Sequence, residues 1–422
     1  MYRAGVVNPV RSAQRSETGG CDARGWLARL RGPLPPHRHI ARTIAALTRN
    51  PGCHRRALLD SAGVDKQRLA RQVGFPARVG QSPFAIARSA AFAAQVTADG
   101  GAELLRLARE RLGLTISEAR YVDLRRPDHP LAAAGVEAQA ADRAAEAAPL
   151  EDAYAATRAT ISDAVRRGDA GVLLDHPTLR LEVAGQPAYL EPGPLALAAE
   201  GRHHVITIKS FAILDGQADP AKVSAAAIES AVYVLALRHL LADIGHDAEL
   251  VSPEVLLVCP RDFSNQPTAA VLDVRKQLGV LRRQLARMAR VEALLASLPP
   301  DLTFDLAVDA EGVPTRPPEE LAAALRSVAA RYTPECLAVC ELAYFCRQEA
   351  AGTTAALGRS VQEQLGGVES VETVLGLASG RLTPQDEQAE VAALLRAAAR
   401  LRAEALSAAA PRTEEQSEVR RP

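Results

Sequence analysis

Three cysteines lie within eleven residues in the second half of the chain, in the run Thr333-Pro-Glu-Cys336-Leu-Ala-Val-Cys340-Glu-Leu-Ala-Tyr-Phe-Cys346-Arg. A helix that starts at the proline stacks Cys336 and Cys340 on one face. Cys346 then lies about 80° from that face, so the backbone must bend if the three thiolates are to converge. Three thiolates leave one ligand position open. We predict that Cys53, in Asn-Pro-Gly-Cys53-His-Arg, fills it, with Cys21 as the alternative.

One remote cysteine and three clustered ones favour a four-thiolate iron–sulfur cluster. Zinc sites usually show two short-spaced pairs of ligands, and disulfides fit a reducing compartment poorly. Zinc and a set of unrelated buried cysteines remain the alternatives. Cys259 lies in an apolar run and is predicted to be a core residue.

Lysine is scarce in this chain. Of the 50 basic residues only four are lysines, namely Lys66, Lys209, Lys222 and Lys276. The abundance of Arg and Ala suggests a coding bias under which an interchangeable lysine drifts to arginine, so a lysine that persists is one whose compact charge is needed. Lys209 stands out because it ends the strand-like run His204-Val-Ile-Thr-Ile-Lys209.

The elements that must position these residues follow from the hydrophobic pattern. We expect helices over 41–72, 84–112 (interrupted at Gly100-Gly101), 150–167 and 220–244, and then over 268–297, 317–331, 334–350, 356–378 and 383–409. Strands are expected over 171–176, 178–183, 188–191, 195–198, 204–210 and 254–259. The order predicts an α/β (α+β) protein with a central mixed β-sheet flanked by helices.

The chain divides by composition as well. We predict a basic, disordered arm (1–40), a helical region with the first cluster cysteine (41–130), an Ala-rich linker or helix (131–149), a core (150–265), a helical region with the cysteine triplet (266–409) and a disordered tail (410–422). In this arrangement a metal cluster would join the N-terminal and C-terminal helical extensions.

The formal net charge of zero hides a division of the charges. Residues 1–80 carry 15 basic and 4 acidic side chains, so this segment is +11 and residues 81–422 are −11. The balance argues against a uniformly basic nucleic-acid binder, although the leading segment could contact phosphate. We see no secretory signal and no apolar stretch near the roughly 18 residues of a membrane span, and therefore expect a cytoplasmic protein.

Three short motifs together resemble a known family. They are Leu190-Glu191-Pro-Gly193-Pro, His204-Val-Ile-Thr207-Ile-Lys209 and Glu229-Ser-Ala-Val-Tyr233. Their order is similar to the PD-(D/E)XK nuclease core of RecB-like proteins. In the iron–sulfur branch, which includes CRISPR adaptation exonucleases and the AddB nuclease domain, one cysteine precedes the core and three follow it. The resemblance covers about residues 50–350 and implies a restriction-endonuclease-like sheet with a [4Fe-4S] cluster on Cys53, Cys336, Cys340 and Cys346.

The family's chemistry needs carboxylates. An Asp at a strand end and the Glu of a Glu-x-Lys on the next strand hold one or two divalent ions, Mg²⁺ or Mn²⁺, which activate water and neutralise phosphate. The lysine stabilises the charge that develops on the phosphorane. An upstream helix adds an acid or His, and a Gln-x-x-x-Tyr helix packs beside the site.

This chain departs from that pattern at each acid. Lys209 and Tyr233 match, but Thr207 stands in the Glu position, Gly193 in the Asp position, Glu229 in place of the Gln and Ala93 at the upstream acid. Glu191 could partly rescue the site, as could Asp215 and Asp219. Because neither Gly nor Ala binds a metal, we expect the fold to persist with hydrolysis lost or impaired.

The resulting prediction is a pseudo-nuclease that binds DNA or another nucleic acid, or serves as an assembly subunit of a repair or defence system. The alternatives are an active metal-dependent DNase, and a protein-interaction scaffold without affinity for nucleic acid.

Overall fold

The computed structural model describes residues 23–37, 39–77, 83–124, 150–167, 169, 171–190, 194–262 and 264–409. Its strands are β1 (Arg120–Asp123), β2 (Gly171–Asp175), β3 (Leu179–Val183), β4 (Gln186–Leu190), β5 (Pro194–Ala199), β6 (Arg202–Ile208), β7 (Glu254–Pro260) and β8 (Pro267–Asp273). Its helices are α1 (Ala23–Arg31), α2 (Ala41–Arg49), α3 (His54–Ala62), α4 (Lys66–Gln72), α5 (Pro83–Leu112), α6 (Leu150–Arg167), α7 (Pro220–Asp243), α8 (Arg275–Arg287), α9 (Val291–Leu295), α10 (Pro318–Arg326), α11 (Cys336–Val339), α12 (Ala343–Glu349), α13 (Arg359–Gln364), α14 (Val371–Ser379) and α15 (Ala389–Ala409).

A mixed sheet of six strands is the centre of the described chain, in the order β1-β2-β5-β6-β7-β8. The pairs β1/β2 and β6/β7 are parallel, whereas β5 is antiparallel to both its neighbours and β8 to β7. Strands β3 and β4 form a separate hairpin. The prediction of a mixed α/β protein with a mixed central sheet is confirmed.

The two faces of the sheet are covered by different helices. Helix α5 packs on one face, where Phe92 and Val96 meet Ile206 of β6 and Val258 of β7. Helix α7 covers the other face, and its apolar side chains pack against those that alternate with the first set, such as Val205. Because successive side chains of a strand point to opposite faces, Thr207 lies on the α7 face together with Val205.

Several N-terminal and C-terminal helices pack on the α7 side, whereas α14 and α15 form a small cluster of their own. Leu27 of α1, Leu58 of α3, Leu321 of α10 and Phe345 of α12 belong to the same buried cluster as α7. Residues from both ends of the chain thus share one core.

Three elements differ from the sequence-based expectation. Residues 23–31, which we placed in a disordered arm, form α1, because Leu27 and Leu30 are buried and Phe304 donates a backbone hydrogen bond to the Leu30 carbonyl. Residues 267–273, expected to be helical, form β8, which pairs with β7 over its full length. Strand β1, which we did not predict, adds to the sheet beside β2. The segments 131–149 and 410–422 lie outside the described residues.

Helix α7 also corrects the statement that no stretch resembles a membrane span. By length and composition alone, this helix could cross a bilayer. However, 72% of its most apolar window is buried inside the fold, as befits the central helix of a core.

A break in α5 allows the helix to approach the sheet closely. Residues Ala98–Gly101 leave helical geometry, and Gly101 adopts φ +78°. A Cβ atom at Gly101 would lie 2.5 Å from Cδ2 of Leu173, a fully buried side chain of β2. The positive φ and the contact therefore both require glycine here.

We predict that Gly101→Ala lowers the free energy of unfolding more than Gly113→Ala does. Both residues have positive φ, but a Cβ at Gly113 meets nothing within 4 Å. The backbone strain, about 1–2 kcal/mol, is common to both, and the overlap with Leu173 adds about 1–3 kcal/mol at Gly101 alone. Urea denaturation of the two variants measures the difference, and equal losses would contradict this account of the α5–β2 contact.

Candidate functional site

Cys53, Cys336, Cys340 and Cys346 line one cavity. Cys53 immediately precedes α3, Cys336 begins α11 and Cys346 lies in α12. Helix α11 is a single turn, and Cys340, directly after it, has an extended backbone with φ −132° and ψ 128°. This is the bend that the spacing requires, and it replaces the continuous helix that we expected over 334–350.

Hydrogen bonds to the backbone hold the two distant segments together. The Arg55 amide donates to the carbonyl of Ala329 over 2.9 Å. The side-chain amide of Asn50 donates to the carbonyl of Arg331 over 2.6 Å and lies 3.6 Å from Sγ of Cys336. These bonds position Cys53 opposite the triplet.

The spacing of the four sulfurs bears on which metal they could hold. All four thiols are free. A mononuclear zinc site, with Zn–S bonds of about 2.3 Å, brings its sulfurs to about 3.8 Å from one another. In the part of the chain that the structure describes, no three cysteine sulfurs lie within 4.8 Å of one another. In the described chain the four sulfurs are therefore not drawn together as tightly as around a single zinc ion.

Burial disfavours the ionised form of the cysteines that line the cavity when no metal is bound to them. It raises the pKa of Cys340 to about 11 and that of Cys346 to about 12, although Arg56 and Arg55, respectively, oppose the shift. Free thiols are therefore protonated at neutral pH, and a bound cation must displace their protons.

Arg55 contacts the sulfur of Cys346 directly. Its Nη1 lies 3.2 Å from Sγ, and its Nε donates to the carbonyl of Val328 over 3.2 Å. Glu349 accepts two further hydrogen bonds from the same guanidinium, whose side chain is only 4% exposed. The Arg55 guanidinium is thus held against the sulfur of one candidate ligand, Cys346, and Glu349 supplies its counter-charge.

Arg56 also lines the cavity, and its side chain is 5% exposed. Its Nη2 is buried and has no hydrogen-bond acceptor among the described residues. Such an unsatisfied donor costs about 1–3 kcal/mol or more. An anionic group in the cavity would supply the acceptor.

The charges of the lining fit an anion as well. Three arginines and one glutamate, Arg49, Arg56, Arg331 and Glu335, are the charged residues that line the cavity in the described chain. Their positive sum has the sign that an anionic four-thiolate cluster needs, while Arg56 is also paired with Asp60 behind the cavity. The residues present therefore fit this cofactor in donor set and in the sign of their charge.

The other cysteines stand apart. Cys259 lies in β7 among Ala226 and Leu257, and burial raises the pKa of its thiol to about 12. It is a core residue, as predicted. Cys21, the alternative fourth ligand, lies outside the described residues.

A buried ion network supports α3 behind the cavity. Asp60 pairs with Lys66, and Arg56 Nε lies 3.3 Å from an oxygen of the same carboxylate. Burial alone would raise the pKa of Asp60, but the positive charges of Lys66 and Arg56 outweigh it and lower the pKa. The ionised carboxylate is shared by both cations, and Glu341, 3.7 Å from the Lys66 amine, supplies a second negative charge.

Thr207, Lys209 and Glu229, which the family resemblance singled out, lie at the C-terminal end of the interior strand β6, on the α7 face. Lys209 follows β6, and its Nζ lies 2.5 Å from Oε2 of Glu229 in α7. Arg42 of α2 approaches the other oxygen of Glu229 at 3.5 Å. The lysine charge is thus neutralised by the residue that stands in the Gln position.

Thr207, in the position of the metal-binding Glu, forms a hydrogen bond with Ser230 instead. The two hydroxyl oxygens are 3.0 Å apart and buried. Tyr233 lies one turn after Glu229 and is 8% exposed. The position of the motif's Glu therefore holds a hydroxyl group, and the carboxylate that the structure places against Lys209 is that of Glu229.

The other candidate residues do not complete a metal site in the described chain. Ala93 lies in α5, on the opposite face of the sheet, and Asp219 caps α7 by accepting hydrogen bonds from two backbone amides. The amide of Asp215 donates to Asp262 in a neighbouring turn. Glu191 and Gly193 lie outside the described residues.

The structure brings together one group that we did not predict. Asp123 and Asp175, the last residues of the paired strands β1 and β2, lie with His176 so that their ligand atoms are within 4.8 Å of one another. The hydroxyl of Tyr121 donates to Asp175. Two strands that each end in Asp were the available signal, but β1 had not been recognised as a strand. Two carboxylates and an imidazole have the chemistry to bind a divalent cation.

Comparison of this chain with protein-family models, with curated proteins and with solved structures gives no match.

We predict that Asp60→Asn lowers the free energy of unfolding by about 3–5 kcal/mol at pH 7, because it removes the carboxylate shared by two buried cations and leaves Lys66 with Glu341 alone, at 3.7 Å. Since the folded state lowers the pKa of Asp60, this contribution is present above the ordinary carboxyl pKa of about 4 and is lost as the pH falls through the lowered value. The difference from the unmutated protein should therefore shrink in acid.

Chemical denaturation at several pH values provides the measurement. The control is Glu363→Gln, which removes the exposed partner of Arg359 and should change stability by about 0.5 kcal/mol or less. A loss at Asp60 no larger than that of the control would show that the network does not support α3.

Proposed function

We propose that this protein is a RecB-like nuclease-fold protein that holds a [4Fe-4S] cluster and binds nucleic acid without hydrolysing it. The observation that carries the proposal is the convergence of Cys53 with Cys336, Cys340 and Cys346 on one cavity, from opposite ends of the chain. We place it in the cytoplasm, because a set of reduced thiols suits a reducing compartment.

The order of elements supports a restriction-endonuclease-like core. Helix α6 is followed by the neighbouring strands β2, β5 and β6, then by α7, and then by β7 parallel to β6. Thr207 lies near the end of β6, where it pairs with the start of β5, and Lys209 follows the strand directly. Glu229, on α7, contacts Lys209. These relative places agree with those that the resemblance assigns to the Glu-x-Lys and to the Gln-x-x-x-Tyr helix.

The cluster would be held by Cys53, Cys336, Cys340 and Cys346. Its iron atoms would bind all four thiolates and so cross-link the two segments of the chain. The role we assign to it is structural, because α3 and the 336–346 segment belong to opposite ends of the chain. Arg55 and Arg56 would donate to its sulfur atoms from inside the core. A cofactor that binds only the folded chain adds its binding free energy to stability.

Loss of hydrolysis follows from the side chains around Lys209. Hard divalent ions need oxygen ligands with negative charge, and Thr207 offers a hydroxyl that already bonds to Ser230. Lys209 is paired with Glu229, so its charge is compensated before any phosphate arrives. Among the described residues, the site therefore offers neither the carboxylate ligands of the motif nor an unpaired lysine.

A second candidate function is a protein-interaction scaffold without affinity for nucleic acid, as a subunit of a repair or defence assembly. One observation favours it: several cations of the basic segment 1–80 are engaged internally rather than at the surface. Arg55, Arg56 and Lys66 are buried, and Arg31 donates to the carbonyls of Leu34 and Ala62. A smaller part of the +11 charge is therefore exposed at the surface, where it could contact nucleic acid.

We predict that the protein purified without oxygen contains iron, acid-labile sulfide and broad visible absorbance. Cys340→Ser should remove the iron and lower the melting temperature, because one of four ligands is lost. Cys259→Ser is the matched control: it changes an equally buried thiol outside the cavity and should keep its iron. One zinc ion per chain with no sulfide would contradict the proposed cluster, as would iron retention in Cys340→Ser.

We also predict no cleavage of labelled single-stranded or double-stranded DNA with Mg²⁺ or Mn²⁺. Lys209→Ala should behave like the unmutated protein, because the lysine has no metal site to assist. Gel electrophoresis over several hours provides the measurement. Cleavage that is abolished by Lys209→Ala would show an active DNase and overturn this part of the proposal.

A further inference from the structure

Helix α8 is strongly basic in a part of the chain that is otherwise acidic. Its 13 residues, Arg-Lys-Gln-Leu-Gly-Val-Leu-Arg-Arg-Gln-Leu-Ala-Arg, include five cations and no acid. Residues 81–422 as a whole carry −11. All five cations, Arg275, Lys276, Arg282, Arg283 and Arg287, are exposed. The helix therefore presents a local positive surface against the trend of the surrounding chain.

Three of these cations form a stripe along the helix. At about 100° per residue, Lys276, Arg283 and Arg287 lie within about 20° of one direction, and they extend over about 16 Å of the axis. Leu278 and Leu281, on the other side, are buried against the core. The stripe consequently faces solvent on a helix that is fixed in place.

No acidic side chain neutralises the stripe. Among the described residues, none lies within ion-pair distance of Lys276, Arg283 or Arg287, whereas Arg275 is paired with Asp273. By contrast, the exposed Arg106 of α5 is bound by Glu103 and Glu110. The stripe is therefore available to an external anion.

The three charges have opposing effects on the helix itself. Lys276, in the first turn, opposes the helix dipole, whereas Arg287, in the last turn, is favoured by it. Arg283 and Arg287, four positions apart, repel each other by a few tenths of a kcal/mol. Because these small effects offset one another, substitutions that remove the charges should leave the fold intact.

We propose that the α8 stripe, Lys276, Arg283 and Arg287, binds the phosphate backbone of nucleic acid. The inference rests on the nucleic-acid binding proposed above and names its surface. A row of cations fits a polymer with regularly repeated anions, and the guanidinium forks match phosphate oxygens. No aromatic or amide group stands in the stripe, so the contact reads the backbone and not the base sequence.

The test compares the full-length triple variant K276Q/R283Q/R287Q with the unmutated protein. Binding to a DNA duplex and to a single strand is measured by fluorescence anisotropy over a series of salt concentrations. About 0.9 counterion is released for each contact with a duplex phosphate. In the variant, the plot of log K against log salt concentration should therefore be less steep, its negative slope smaller in magnitude by about 2 to 3. Near 0.1 M salt this amounts to about a hundredfold weaker binding.

The control R111Q/R400Q/R402Q removes the same charge from exposed positions elsewhere and should keep the original slope. Melting temperatures verify that both variants fold. If the unmutated protein binds DNA and the α8 variant keeps its slope, the surface is wrong while the proposed function stands. If the unmutated protein binds neither oligonucleotide, nucleic-acid binding itself is overturned, and binding to anionic vesicles alone would assign the stripe to a membrane instead.

Discussion

The structure depends on the contact between Arg55 and the segment 328–349. One buried guanidinium bonds to the carbonyl of Val328, the sulfur of Cys346 and the carboxylate of Glu349, which joins positions up to 294 residues apart. A buried cation is tolerated only where it is paired and hydrogen-bonded. Helix α3 therefore cannot leave the C-terminal segment without exposing or orphaning this charge. The cysteine cavity is a consequence, because the same contact places Cys53 opposite the triplet.

The polar side chains at the end of β6 are matched by partners on α7. Removing one partner from a pair of charges in or near the core leaves the other uncompensated, at a cost of several kcal/mol. Here Glu229 stands beside Lys209, and Ser230 satisfies the hydroxyl of Thr207. The charge of Lys209 and the hydroxyl of Thr207 thus each have a partner. Either group left unmatched would destabilise the core around α7.

Much of the core could be predicted from local pattern. Helix α7 and strand β7 are continuous apolar runs and β6 ends in Val-Ile-Thr-Ile, so their length and residue types indicate the element. The segment Pro267–Asp273, which forms β8, was predicted to be helical because it is short and has no marked alternation of apolar and polar residues. Its strand conformation depends on pairing with β7. Helix α1 depends in the same way on distant packing, through Phe304. For the cysteines, the need for a bend was visible in the spacing, but the buried arginines behind them were not, because basic residues near the N-terminus indicate a solvated arm.

The location of each cation is more informative than the net charge. Lys66 is buried against Asp60, and Lys209 is paired with Glu229, so the compact charge of each lysine fills a place inside the fold. Lys276 differs, because it lies on the exposed face of α8 without an acidic neighbour in the described chain. The first 80 residues carry a net charge of +11, which suggested a phosphate-binding arm. Part of this charge belongs to side chains that stabilise the core. The α8 stripe, which has no acidic partner among the described residues, lies instead in the acidic part of the chain. The formal net charge of zero does not reveal it.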